Sequence, residues 1–211
     1  MSKKFDYSVF KEYRLHEVMR PLGTFLNKAV FHVSYKGQEN IPQDGKAFIV
    51  CPNHVSAADP VYVAMGMEQR CHFMAKEELF KNPAVAWALE HNNSFPVKRG
   101  KIDVASVKYA INLIKHNKNV AIFPEGTRSK DGKPKQGKNG AAYVAKKTGA
   151  DVLPVAICKD DAKKRIVVRY GSVIKNSDFG FTESRNKAEL TDATNRIMGE
   201  VVSMWEEETC K

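Results

Sequence analysis

Seven short β-rich runs alternate with stretches of helical periodicity along most of this chain, and no other feature constrains the fold as much. Runs rich in Val, Ile, Phe and Cys occupy 31–35, 47–51, 71–74, 94–97, 120–123, 151–157 and 165–170. Helical patterns fall at 60–69, 83–91, 103–118, 140–148 and 187–206. Strands that alternate with helices in this way belong to βαβ units, whose crossover helices cover a mainly parallel sheet. The expectation is one α/β domain: a mixed, mostly parallel sheet of seven strands flanked by helices. No internal repeat and no linker divides the 211 residues, a length that one hydrophobic core can organise.

Ahead of the first strand the pattern differs. Phe5, Val9, Phe10, Tyr13, Val18, Leu22, Phe25, Leu26 and Val30 recur at three- to five-residue steps, interrupted near Pro21-Leu22-Gly23. This spacing predicts two short amphipathic helices and divides the chain into an N-terminal segment, 1–30, and an α/β domain, 31–211. Such helices suit the cap of an ordinary core. They also suit a lipid surface, because Lys3, Lys4, Lys11, Arg14, Arg20 and Lys28 interleave with the aromatic residues. Met1 to Phe10 lacks the continuous apolar core of a signal peptide, and no apolar run approaches the roughly 18 residues that cross a bilayer. Membrane contact is therefore expected to be peripheral.

Charge narrows the partners. Lys+Arg number 34 against 24 Asp+Glu, a formal net charge of +10. The excess centres on 129–175, and the densest basic run, 130–138, is rich in Gly and Lys and reads as a solvated loop. Anionic partners follow: nucleic acid, phosphorylated small molecules or acidic lipid headgroups. A nucleic-acid module is disfavoured because zinc-finger, RNP and helix-turn-helix signatures are missing. Cys51, Cys71, Cys158 and Cys210 lie far apart, so the sequence points to neither a zinc cluster nor a redox dithiol, and a reduced, cytosolic compartment is expected.

Chemistry concentrates where apolar runs end. The run Ala47-Phe48-Ile49-Val50-Cys51-Pro52 delivers Asn53 and His54 to the carboxyl edge of the sheet, where open parallel sheets bind ligands. Asp59-Pro60 then has the composition of a helix start, with Asp as N-cap and Pro as first helical residue. A turn curling back from strand to helix would bring the Asp59 carboxylate to one imidazole nitrogen and free the other to take a proton. No G-x-S-x-G nucleophile motif accompanies the pair. A base without a protein nucleophile suits a substrate hydroxyl attacking an activated acyl group.

A second apolar run ends in Phe123-Pro124-Glu125-Gly126-Thr127-Arg128-Ser129. Arg128 carries a planar fork matched to phosphate. Glu125 would orient that Arg or the acceptor, and Thr127 and Ser129 add hydroxyl donors; a helix-capping turn with a local ion pair is the alternative. Phe95-Pro96-Val97-Lys98-Arg99-Gly100 repeats the arrangement of strand end, cations and a Gly that permits close backbone approach.

These blocks, Asn53-His54-x4-Asp59, Phe95-Pro96-Val97-x-Arg99, Phe123 to Ser129 and Leu153-Pro154-Val155-Ala156-Ile157, occur in this order. Together they resemble the bacterial 1-acylglycerol-3-phosphate acyltransferases over about residues 30 to 170. The resemblance implies a catalytic His54 and Asp59, an acceptor site built from the second and third blocks together with Asn53 of the first, and an acyl pocket to which the fourth contributes. It extends to Ala75-Lys76-Glu77-Glu78-Leu79, where Lys76 is implied to stabilise an oxyanion or position phosphate.

The activity implied is acyl transfer to the 2-hydroxyl of lysophosphatidate, giving phosphatidate. Acyl-acyl-carrier protein or acyl-coenzyme A is the co-substrate, and no cofactor or metal is expected. The implied location is cytoplasmic, peripheral on the inner face of the cell membrane and in contact with anionic lipid; no nucleic acid partner is expected. Two rivals remain: the same chemistry on another hydroxyl acceptor, such as glycerol 3-phosphate or a lyso-ornithine lipid, and a basic lipid-binding module without catalysis.

Overall fold

The fold was analysed in a computed structural model that describes residues 5–8, 13, 15–30, 32–98, 103–160, 164–183 and 186–209. Lys3, Lys4, Val9, Phe10, Lys11, Arg14, Phe31, Arg99, Gly100 and Cys210, named above, lie outside the described residues.

Seven strands form one sheet: β1 (Val33–Lys36), β2 (Ile49–Pro52), β3 (Cys71–Lys76), β4 (Ser94–Val97), β5 (Asn119–Ala121), β6 (Val152–Asp160) and β7 (Arg165–Tyr170). Their order is β1-β7-β6-β2-β5-β3-β4. All neighbours pair in parallel except β6 and β7, so five strands share one direction and β7 and β1 run opposite. The sheet is mixed and mostly parallel, as the alternation of elements predicts. Every residue of β2 is buried, which is why its sequence is a continuous apolar run and not an alternating one.

Six α-helices flank the sheet: α1 (Leu15–Ala29), α2 (Asp59–Met65), α3 (Pro83–His91), α4 (Val104–Lys115), α5 (Gly140–Thr148) and α6 (Lys187–Thr209). One apolar cluster joins Val50, Leu153, Val155 and Ile157 of the sheet to Tyr62 and Val63 of α2. On the other face Ile49, Val120 and Val152 meet Tyr109, Leu113, Val144 and Ile197 of α4, α5 and α6. The helix predicted at 60–69 stops at Met65 because the chain passes through a crowded point. A Cβ on Gly66 would lie 2.3 Å from the Tyr170 hydroxyl and 2.6 Å from the Tyr35 ring.

The N-terminal segment differs from expectation in two respects. A single helix, α1, runs unbroken through Pro21 where a break between two helices was predicted. Proline removes one backbone hydrogen bond, but tertiary contacts on both sides hold the helix together. Glu17 pairs with Arg70, Arg20 pairs with Glu68, and the Thr24 hydroxyl donates to the Met65 carbonyl. Phe5 is not a free interfacial residue either. With Tyr7 it packs edge-on against Tyr109 of α4, which joins the start of the chain to the core.

Candidate active site

Pro52 ends β2 and has no N–H to donate to a ladder. Asn53 continues the pairing with its side chain instead: its amide donates to the Ile157 carbonyl at 3.0 Å and accepts from the Ile157 N–H at 2.7 Å. This buried amide serves the sheet, so the acceptor-binding role predicted for Asn53 gives way to an anchoring one. The next residue, His54, is thereby fixed at the carboxyl edge shared by β2, β3, β4 and β5.

His54 and Asp59 meet as the sequence predicts. The imidazole Nδ1 lies 2.7 Å from Asp59 Oδ2, and the same oxygen accepts the N–H groups of Val55 and Ser56, each at 2.7 Å. The carboxylate curls the turn around itself and does not cap α2; the N-cap position falls to Ala58. An aspartate facing Nδ1 selects the Nδ1–H tautomer and leaves the lone pair on Nε2. Nε2 has no hydrogen-bond partner among the described residues, and 8% of the His54 side chain stays open to solvent. The Phe123 ring covers the imidazole with centroids 4.3 Å apart.

The segment after β5 grips the His54 backbone from both sides. Glu125 Oε1 accepts the His54 N–H at 3.0 Å, and the Ser129 N–H donates to the His54 carbonyl at 2.7 Å. Glu125 thereby holds the His54 backbone in place. Burial pushes its carboxyl pKa above the ordinary value, against the lowering effect of the His54 N–H. Ser129 is likewise not an available hydroxyl: it is buried, and its Oγ donates to Asp131. Gly126 takes a left-handed φ of +70°, the conformation that turns the chain back at this point. Thr127 and Arg128 emerge exposed, and Arg128 forms no ion pair among the described residues.

Lys76 closes β3 at the same sheet edge, 3.3 Å from Glu78, and Lys98 follows β4, 3.9 Å from Glu77. Both are thus committed in part to neighbouring acids. Arg99 lies outside the described residues. The Leu153 to Ile157 block is the buried middle of β6: Leu153, Val155 and Ile157 face the α2 side, and Ala156 packs with Met204 of α6.

Three contributors were not singled out in the sequence. Phe123 covers the His54 ring, the Lys138 N–H donates to the Pro124 carbonyl, and the Lys135 ammonium lies 3.4 Å from the Arg128 carbonyl. The 130–138 run was read as a solvated loop. It is an exposed loop, as expected, and its backbone is stitched to the Glu125 turn at Lys138, whose side chain lies along Gly126. Only the proximity of that basic run to the Glu125 block hinted at this.

The family model described as Acyltransferase matches residues 32–158. The chain is 32% identical over 154 residues to the chloroplast 1-acyl-sn-glycerol-3-phosphate acyltransferase BAT2 of Brassica napus, covering 71% of this chain and 44% of that relative. It is 29% identical over 177 residues to the 1-acyl-sn-glycerol-3-phosphate acyltransferase of Bacillus subtilis (strain 168), covering 80% and 87%. The crystal structure of the 1-acyl-sn-glycerophosphate acyltransferase PlsC from Thermotoga maritima superposes with a TM-score of 0.71 at 27% identity, covering 94% of this chain and 83% of that one. The chain spans less than half the length of BAT2 and 36% of the chloroplast relative LPAT1 of Arabidopsis thaliana.

Proposed function

The chain belongs to the acyltransferase family, and we propose that it transfers an acyl group from a thioester to the free 2-hydroxyl of 1-acylglycerol 3-phosphate. The observation that carries this reading is the buried 2.7 Å contact between His54 Nδ1 and Asp59, with Nε2 left free. Nε2 takes the hydroxyl proton as the oxygen attacks the thioester carbonyl. The tetrahedral adduct collapses, the C–S bond breaks, and the departing thiolate takes the proton back from the imidazolium. Asp59 stabilises the imidazolium between those two events. General-base assistance supplies about 10²–10⁴ in rate; positioning and oxyanion donors supply the rest.

The acceptor phosphate is held by Arg128, with Arg99 and Lys98 as further cations. What supports Arg128 is its exposure beside the base and its freedom from acidic partners among the described residues. Lys76, at the same sheet edge, is the candidate to face the oxyanion. The reaction as written uses no resident cofactor or metal; acyl-acyl-carrier protein or acyl-coenzyme A is the co-substrate.

Acceptor and product are amphiphiles, so this reading places the enzyme peripherally on the cytoplasmic face of the cell membrane. No helix among the described residues is long and apolar enough to cross a membrane. Val18, Leu22, Phe25 and Val30 of the α1 region are exposed, Val18 by 74% and Phe25 by 66%, and face outward as an interfacial helix would.

The experiment that tests the activity supplies acyl-carrier-protein and coenzyme A thioesters with lysophosphatidate, glycerol 3-phosphate or a lyso-ornithine lipid, and identifies products by mass spectrometry. Phosphatidate from lysophosphatidate is the expected product. Acylation of either other acceptor alone overturns the assignment.

A further inference from the structure

α3 has the sequence PAVAWALEH, uncharged from Pro83 to Leu89, and none of its residues is buried. A helix that is apolar around its whole circumference is ordinarily enclosed by protein or lipid. This one is well formed: Asn82 caps it by accepting the N–H groups of Ala84 and Val85, and Pro83 occupies the first turn. Yet Trp87 is 60% exposed, and Val85 and Leu79 are exposed beside it. Lys81, one turn earlier, is exposed and lies near enough to Glu78 to help lower its carboxyl pKa.

α3 is also joined to α1. His91, at the end of α3, is sandwiched between Trp87, with centroids 4.2 Å apart, and Tyr13, 4.0 Å apart. Tyr13 stands two residues ahead of α1, and its N–H donates to the Asn93 side chain. Tyr13 thus ties the chain just ahead of α1 to the end of α3.

We infer that α3 is a second lipid-contacting element, with Trp87 and Val85 seated in the headgroup region of an anionic membrane and Lys81 against its phosphates. This extends the peripheral-contact reading above and is independent of the acyl chemistry. Size favours lipid over a folded partner. Nine residues give a helix about 14 Å long, whose exposed face falls well short of the roughly 800 Å² per partner of a standard protein interface. A bilayer needs no complementary shape, and a tryptophan at the polar–apolar boundary suits it. Two contacts fix the tilt of the sheet edge over the lipid, as one helix alone does not.

The test uses the two tryptophans of the chain, Trp87 and Trp205. In W205F, Trp87 is the sole reporter. With phosphatidylglycerol-containing vesicles its emission shifts to the blue and is quenched by phospholipids brominated along the acyl chain. Unquenched emission from protein that co-sediments with the vesicles overturns the inference. In a second arm, the double variant V85Q/W87Q partitions onto vesicles about tenfold less than wild type while turning over dispersed short-chain lysophosphatidate at the wild-type rate. Unchanged partitioning overturns it, as does a dimer-to-monomer change on sedimentation, which would make the face a contact between copies. If wild type fails to bind vesicles, this inference falls with the peripheral reading, whereas turnover of dispersed acceptor keeps acyl transfer standing.

Discussion

The buried carboxylate of Glu125 accepts the backbone N–H of His54 at 3.0 Å, 71 residues away in sequence. This contact makes the third strand-end block a support for His54 as well as the proposed neighbour of the acceptor. It separates two roles, positioning and phosphate binding, that the sequence merges.

His54→Ala removes the base and is expected to lower kcat by about 10²–10⁴ while acceptor binding persists. Asp59→Asn retains much of the shape but gives up the charge that stabilises the imidazolium, so a comparable loss follows. Steady-state kinetics on folded variants decide. Substantial turnover by folded His54→Ala excludes this imidazole as the base.

Glu125→Gln keeps a carbonyl oxygen for the His54 N–H and should retain most of kcat, whereas Glu125→Ala leaves that buried N–H unpaired and should lose at least about tenfold. The acceptor KM should move little in either case. A selective rise in KM with kcat intact would return Glu125 to the acceptor site.

The same residue sets a pH dependence. Burial raises its folded-state pKa above the ordinary 4.5, so the native state holds this proton to higher pH than the unfolded chain does. The stabilisation is complete below the unfolded pKa and is lost as pH rises through the folded one. Wild-type Tm should therefore fall relative to Glu125→Gln between pH 4.5 and the raised value. Parallel Tm–pH curves for the two proteins would contradict this.

Arg128→Ala is predicted to raise the KM for lysophosphatidate by about tenfold or more with a smaller effect on kcat, because a charged hydrogen bond to phosphate contributes about 1.5–3 kcal/mol. Arg128→Lys should recover only part, lacking the planar fork. An unchanged KM in the alanine variant rejects the phosphate role.

Gly66→Ala places a methyl group against the Tyr170 hydroxyl and the Tyr35 ring. Overpacking of this kind costs about 1–3 kcal/mol. Urea unfolding should show the loss as a lower midpoint with an unchanged slope; an unaltered midpoint would mean that the rings move aside freely.

The architecture was legible because buried parallel strands are written as unbroken apolar runs, as in Ile49 to Cys51, and because Pro52 marks where β2 ends. The His54–Asp59 pair was legible for the same reason: short spacing on a turn leaves little geometric choice. Contacts that depend on long-range closure were not. Nothing local to Asn53 announces Ile157, and nothing local to Glu125 announces the His54 N–H. Pro21 misled in the opposite direction, since a helix breaker is overruled when ion pairs before it and a hydrogen bond after it clasp the helix.

The double hydrogen bond from Asn53 to β6 has a consequence for how this enzyme meets its substrate. A histidine riveted to the central strands through its immediate neighbour has no freedom to swing toward a lipid. Under the proposed function the amphiphile has to be lifted to the imidazole, so adaptation to acceptors of different shape would fall to the rim of exposed side chains around Thr127 and Arg128.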